Sequence, residues 1–204
     1  MTKDLRKTVA ILLVAITVSS VFGVYTLSNL SRRSNLPLLS VSDVDTITGY
    51  QWKFSCGNNY TNSDLVNGSL IKHGVDTFYS TSVSAPTGFK LLSVEALAEV
   101  ANSSYAIAIS AIFFKNDSYA ITFFSRTMDG GSINASFHGS EVSDNVTWYF
   151  ANNSYTFGSK TTYQSFIIGY RGNFFIEVST LNLVLSNGIM VKLLTNETNL
   201  IFAN

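Results

Sequence analysis

The chain has 204 residues, enough for one domain of ordinary size, and its formal net charge at pH 7 is zero. Apolar residues make up 46% of it and charged residues only 13%, against a usual value of about 25%. Clustered Lys and Arg, which binding to nucleic acid requires, do not occur beyond the pair Arg32–Arg33. The composition therefore excludes a disordered chain and a nucleic-acid-binding protein. It predicts a globular domain with a surface rich in Ser, Thr and Asn.

The N-terminus carries a targeting segment. Residues 8–27 contain no charge and come after three basic residues, an order that keeps the N-terminus inside and exports the residues beyond the segment. About twenty apolar residues are enough to span a bilayer. The segment fits a cleaved signal peptide as well, with Gly23 before the cleavage point. We therefore expect residues 1–27 to be a signal peptide or a membrane anchor that engages the membrane or the secretion machinery. Either interpretation places the rest of the chain on the extracellular side, at the cell surface.

The strongest chemical signal is the N-glycosylation acceptor Asn-x-Ser/Thr, which occurs more often than composition alone would supply by chance. A glycan is large and hydrated, so its acceptor must lie on an exposed loop. We predict a coat of N-glycans over an exported domain. The nine acceptors are Asn29, Asn59, Asn67, Asn102, Asn116, Asn134, Asn145, Asn152 and Asn196.

Residues 28–40 are polar, contain Pro37 and predict a linker, which leaves residues 41–204 as the extracellular β-rich domain. A short helix is expected over 40–49, because Ser40 or Ser42 can cap its start and Gly49 can end it. A strand is expected next, near 50–56.

In the middle of the chain, a strand is predicted near 76–83, a turn at 86–88 and a helix over 91–101. That helix would place Glu95 and Glu99 on a solvated face. The alternating pattern of residues 105–125 predicts a β-hairpin with Asn116 at its tip.

β-Branched and aromatic residues dominate the second half. After a turn at 129–132, strands are predicted near 132–138, 145–150, 161–169, 173–185 and 188–194, and residues 189–202 also fit a helix. The fold class predicted is mainly β: an antiparallel β-sandwich-like domain with two or three short helices, preceded by one N-terminal apolar helix. The alternative is an α+β fold with one antiparallel sheet covered by helices.

Residues for catalysis are scarce. His73, His138 and Cys56 do not supply a zinc site, and no nucleophile, phosphate-binding or dinucleotide motif occurs. Trp52 and Trp148 fit core packing better than sugar binding. We expect no enzyme, no metal and no cofactor.

An apolar leader, low charge, richness in Ser, Thr, Asn and Tyr, and dense acceptor sequons together resemble surface proteins of Sulfolobales-type archaea. Within that group the chain resembles thread-type pilins, which are glycosylated β-domains joined by donor-strand complementation. The resemblance implies a donor strand just after the leader, from Val24 to Ser31, with an extension to Leu39 as the longer alternative. Its candidate residues are Val24, Tyr25, Thr26 and Leu27. It also implies that copies of the chain are partners in a filament.

A second resemblance is local. The residues Leu38-Leu39-Ser40-Val41-Ser42-Asp43-Val44 and Ile47-Thr48-Gly49 are similar to the opening of lipoprotein-like sensor domains outside bacterial membranes. The first resemblance implies a non-enzymatic structural or adhesive subunit of the cell envelope. The second implies a membrane-anchored ligand-binding or accessory ectodomain.

Overall fold

A computed structural model describes residues 36–61, 65–66, 69–70, 86–131, 135–143, 145–157 and 160–203. The helices of this part of the chain are α1 (Val41–Thr48), α2 (Asp117–Gly131) and α3 (Asn187–Ala203). The strands are β1 (Trp52–Thr61), β2 (Leu65–Val66), β3 (Ser69–Leu70), β4 (Phe89–Glu99), β5 (Ala106–Phe114), β6 (Ala135–Ser143), β7 (Val146–Phe157), β8 (Lys160–Arg171) and β9 (Phe174–Leu181). The predicted strand near 76–83 and the leader lie outside the described residues.

Seven of the strands form one antiparallel sheet in the order β1-β4-β5-β9-β8-β7-β6, and β2 pairs only with β3. The predicted fold class, mainly β and antiparallel with two or three helices, is confirmed. The strands lie in one sheet that helices cover, which is the arrangement predicted as the alternative. Strand β5 is buried along nearly its whole length because both faces of the sheet are covered.

Helices divide the core into two layers. On one side, called the α3 face, α1 and α3 cover the sheet with buried residues such as Val44, Leu193 and Leu194. On the other side, called the α2 face, Ala120 and Phe124 of α2 pack over an aromatic cluster. The sheet is therefore the middle of three layers, and a residue's face decides which helix it contacts.

Local sequence signals determine where α1 begins and ends. The hydroxyl oxygen of Ser40 accepts a hydrogen bond from the amide of Asp43, and the Asp43 carboxylate accepts the amide of Ser40, which together form a capping box. Gly49 ends the helix with φ +76°, a left-handed conformation that costs glycine little. The helix predicted over 40–49 is confirmed.

The helix predicted over 91–101 is wrong, because these residues belong mainly to β4. Side chains on both faces of β4 are buried, so the apolar residues follow one another without alternation. A strand buried on both faces cannot be told from a helix by periodicity alone.

The hairpin predicted over 105–125 is half right. Its first strand is β5, but the chain then enters α2, in which Ala120 and Phe124 face the core one turn apart. Asn116 therefore precedes a helix instead of forming a hairpin tip. The turn predicted at 129–132 overlaps the last residues of α2.

The final segment is α3, so the strand predicted near 188–194 is wrong and the helix predicted over 189–202 is right. The strands predicted near 132–138, 145–150, 161–169 and 173–185 correspond to β6, β7, β8 and β9. The turn predicted at 86–88 is confirmed by the hydrogen bond from the Phe89 amide to the Pro86 carbonyl, 3.2 Å.

Candidate functional site: glycan acceptors, strap and buried carboxyls

Three acceptor asparagines lie exposed in connections between elements. Asn102 lies between β4 and β5, Asn116 lies before α2, and Asn145 lies between β6 and β7 with φ +62°. At the first two, the hydroxyl of the acceptor's own serine donates to the asparagine Oδ1, from Ser104 and Ser118 at 2.7 Å each. These positions leave room for a glycan, because no neighbouring strand covers them.

Two acceptors lie on strands and are half-buried. Asn59 on β1 accepts a hydrogen bond at Oδ1 from the hydroxyl of Ser93, and Asn152 on β7 accepts one from the hydroxyl of Ser165, each 2.6 Å. A glycan there would have to leave these contacts intact or break them.

The acceptor in α3 has helical geometry. Asn196 is exposed, and its Nδ2 donates to the carbonyl of Lys192 at 2.9 Å. The third residue of the acceptor, Thr198, is buried and donates its hydroxyl to the carbonyl of Leu194 at 2.8 Å. In the folded chain this sequence does not present its hydroxyl to an enzyme. The acceptors Asn29, Asn67 and Asn134 and the donor-strand candidates Val24–Leu27 lie outside the described residues.

Residues 36–39, which we call the N-terminal strap, pack onto the α3 face. Leu36 and Leu39 are buried in the core of that face. The backbone amide of Leu39 donates to Oε2 of Glu197 in α3 at 2.8 Å. The chain is thus fixed to its own domain before α1 begins.

Glu197 is fully buried, and its second oxygen, Oε1, has no hydrogen-bond partner. Burial raises the pKa of this carboxyl to about 8, the amide of Leu39 acts in the opposite direction, and the nearby Glu95 raises it further. Sequence reasoning missed Glu197, because nothing local distinguishes it from a solvated helix residue.

Glu95 and Glu99 lie on β4, where the sequence placed them on a solvated helix. Both are buried, at 4% and 6% exposure, on the side of the strand that carries Leu97 of the α3 face. Glu99 accepts the backbone amide of Asn102. The prediction of solvated carboxylates failed because it rested on the wrong element.

A further carboxyl lies on the opposite face. Glu177 of β9 stands between Ser110 of β5 and Ile168 of β8, and its inaccessible Oε1 has no hydrogen-bond partner. Burial raises the pKa of Glu177 to about 7. Each face of the sheet therefore holds a carboxyl whose pKa burial raises from 4.5 to the neutral range or above it.

Within the described residues, no three His, Cys, Asp or Glu side chains come together as a metal site. His73 lies outside them, and His138 is on β6, where its backbone is paired with Ala151. Both tryptophans are core residues, as predicted, and Trp52 donates its Nε1 to the hydroxyl of Thr48 at 2.8 Å. Burial raises the pKa of the Cys56 thiol.

In the same part of the chain, none of the helices combines the length and apolar character needed to cross a bilayer. No protein-family model and no curated protein matches the chain.

The solved structures to which the chain is similar include two mycobacterial proteins. The extracellular domain of PknH from Mycobacterium tuberculosis is 16% identical with a TM-score of 0.46, and the match covers 79% of this chain and 93% of that one. An uncharacterized protein from Mycobacterium smegmatis is 10% identical with a TM-score of 0.35, covering 79% and 94%. Neither similarity is close enough to assign a family.

Proposed function

We propose that this chain is a non-enzymatic, N-glycosylated ectodomain, held on the extracellular side of the membrane by its N-terminal segment and serving a binding or accessory role there. The observation that carries the proposal is the packing of the N-terminal strap onto the α3 face. Only residues 28–35 separate the apolar segment from the strap, and eight extended residues reach at most about 28 Å. An uncut leader would therefore hold the domain close to the bilayer.

The exposed acceptors support extracellular exposure. A glycan at Asn102, Asn116 or Asn145 would project from a connection without displacing a core residue. Such a coat shields a permanently displayed domain from proteases and limits close packing with neighbours.

Intact mass, N-terminal sequencing and glycopeptide mapping of the protein from native membranes test the proposal. We expect an uncut leader in the membrane fraction, with glycans at Asn102, Asn116 and Asn145. Asn196 is the internal control, since its helical acceptor should stay unmodified. A mature chain that begins near Val24 and is recovered without membrane would contradict the anchored ectodomain.

A filament subunit is the second candidate, and the position of β1 favours it. Among the described residues β1 pairs on one side only, with β4, so a strand from another copy has an edge to which it can add. Because Leu36 and Leu39 are already in the core of their own domain, the donated segment would have to lie within 24–35. An SDS-resistant ladder that Thr26→Pro abolishes would establish this candidate, since proline removes a ladder hydrogen bond. A monomer on the same gel would reject it.

A further inference from the structure

The N-terminal strap and α3 meet at a buried carboxyl. The Leu39 amide contacts Glu197 at 2.8 Å, and Leu36 and Leu39 cover the surrounding core. Ser40, the next residue, belongs to the capping box of α1. The strap therefore has its own point of attachment, separate from the hydrogen bonds that stabilise α1.

Glu197 faces one other buried acid, Glu95 of β4. The remaining acids of the neighbouring elements have other contacts. Asp43 of α1 caps its own helix, Asp45 accepts the amide of Trp52 at 2.8 Å, and Glu99 accepts the amide of Asn102. Ionisation of Glu197 would thus place a negative charge in a site with little water, near another buried acid.

The cations of these elements whose side chains the structure describes lie elsewhere. Lys90 of β4 lies over the ring of Phe113, 5.1 Å from its centroid. Lys192 of α3 and Lys53 of β1 are exposed, and Arg171 of β8 stacks over the ring of Phe202, 4.3 Å from its centroid. Tyr163 of β8 is half exposed. In the described parts of β7 and β9 the titratable side chains are Tyr149 and Glu177, which lie on the α2 face. Nothing basic in the described chain pairs with Glu197.

We propose that the N-terminal strap is a pH-dependent latch, closed over α3 while Glu197 is protonated and loosened when Glu197 is ionised. Opening the strap uncovers Glu197 and lets water solvate its carboxylate. The ionised form therefore favours the open strap, and the protonated form favours the closed one.

The direction of the effect follows from linkage. The pKa of Glu197 is about 8 in the closed state, against 4.5 for an ordinary glutamate. The closed state therefore binds the proton more tightly, and the ratio of closed to open strap falls as pH rises from 4.5 to about 8. Each pKa unit is a factor of ten, so the largest possible change in that ratio is ~3,000-fold.

The consequence for tethering rests on the proposed function. If the leader is a membrane anchor, release of residues 36–39, with the Ser40 cap left in place, adds four residues to the tether. At about 3.3 Å per residue the domain gains ~13 Å of reach. Acid would draw the domain toward the membrane, and alkali would let it move away.

Hydrogen exchange followed by mass spectrometry on the full-length chain in detergent micelles tests the latch. Protection of the Leu39 amide, corrected for the intrinsic pH dependence of exchange, should fall at least tenfold between pH 6 and pH 9. The Glu197→Gln variant keeps a buried acceptor for the Leu39 amide and should show no such fall. Glu177→Gln, on the other face, is the matched control and should behave as the wild type does at the strap.

Protection that is independent of pH in the wild type overturns the latch, as does a fall that persists in Glu197→Gln. If that variant does not fold, Glu95→Gln replaces it: the fall should become smaller and move to lower pH, and an unchanged profile counts against the proposal. The readout does not depend on anchoring, which membrane sedimentation of the same sample measures separately. Failure of the latch and failure of the anchored ectodomain are therefore distinguishable.

Discussion

The two faces of the sheet bury a carboxyl each, in different surroundings. On the α3 face Glu197 accepts a backbone amide and lies near Glu95, and its pKa is about 8. On the α2 face Glu177 lies between Ser110 and Ile168, and its pKa is about 7. Burial raises the pKa of both carboxyls. The two sites differ because a second acid, Glu95, raises the pKa of Glu197 further. A carboxyl buried on either face of the sheet therefore has a raised pKa, whether or not a second acid lies nearby.

The largest expected effect concerns stability against pH. Between pH 4.5 and 7 the unfolded state loses the proton of Glu177 while the folded state keeps it, so the free energy of unfolding falls as pH rises. The contribution of this group is at most ~3 kcal/mol, at 1.36 kcal/mol per pKa unit. Denaturant titrations from pH 4 to 9 should show that Glu177→Gln makes the decline up to about pH 7 less steep. Glu197→Gln should also make it less steep there and should remove the part that continues to about pH 8. Identical profiles for both variants and the wild type would refute the comparison.

An intermediate effect is expected from two glycines, one under each helix layer. A methyl group on Gly88 would lie 2.6 Å from the ring of Tyr119 in α2, and Gly88 has φ +80°. A methyl group on Gly169 would lie 2.9 Å from a terminal carbon of Leu194 in α3, which can shift. We expect Gly169→Ala to lower the free energy of unfolding by roughly 1–3 kcal/mol and Gly88→Ala by more, because the backbone strain adds to the clash. Thermal unfolding of both variants measures these losses of stability. A larger loss for Gly169→Ala than for Gly88→Ala would mean that the α2 layer rearranges around an added methyl group more easily than the α3 layer.

The smallest effect concerns the helix starts on the two faces. Ser40 caps α1 in a reciprocal pair with Asp43, whereas Asn116 Oδ1 accepts one backbone amide, that of Tyr119 at 3.3 Å, and its other bond comes from the Ser118 hydroxyl. Ser40→Ala should cost about 1 kcal/mol and Asn116→Ala less. Asn116→Asp is the control, since it removes the glycan acceptor but keeps the capping oxygen. Loss of stability in the Asp variant equal to that in the Ala variant would assign the effect to the glycan.

Where signals were local, sequence and structure agree. Ser40 and Gly49 bound α1 through groups within a few residues of each other, and Pro86 to Gly88 form the expected turn. The class of the fold followed from the β-branched and aromatic composition of the second half. The acceptor sequons could also be identified from the sequence, but their structural surroundings could not. Asn102 lies in a connection, Asn152 on a strand and Asn196 in a helix.

The sequence by itself determined the mainly β, antiparallel class and the helix starts and turns, because these depend on neighbouring residues. Only the tertiary structure decided that residues 91–99 are a central strand, since burial on both faces erases the alternation that marks a strand. Tertiary structure also decided the state of the carboxyls. Glu197 lies 158 residues from Leu39 in the chain, and their contact exists only because α3 and the strap pack on the same face of the sheet. A pKa is raised by what surrounds a group in space, which sequence position does not specify.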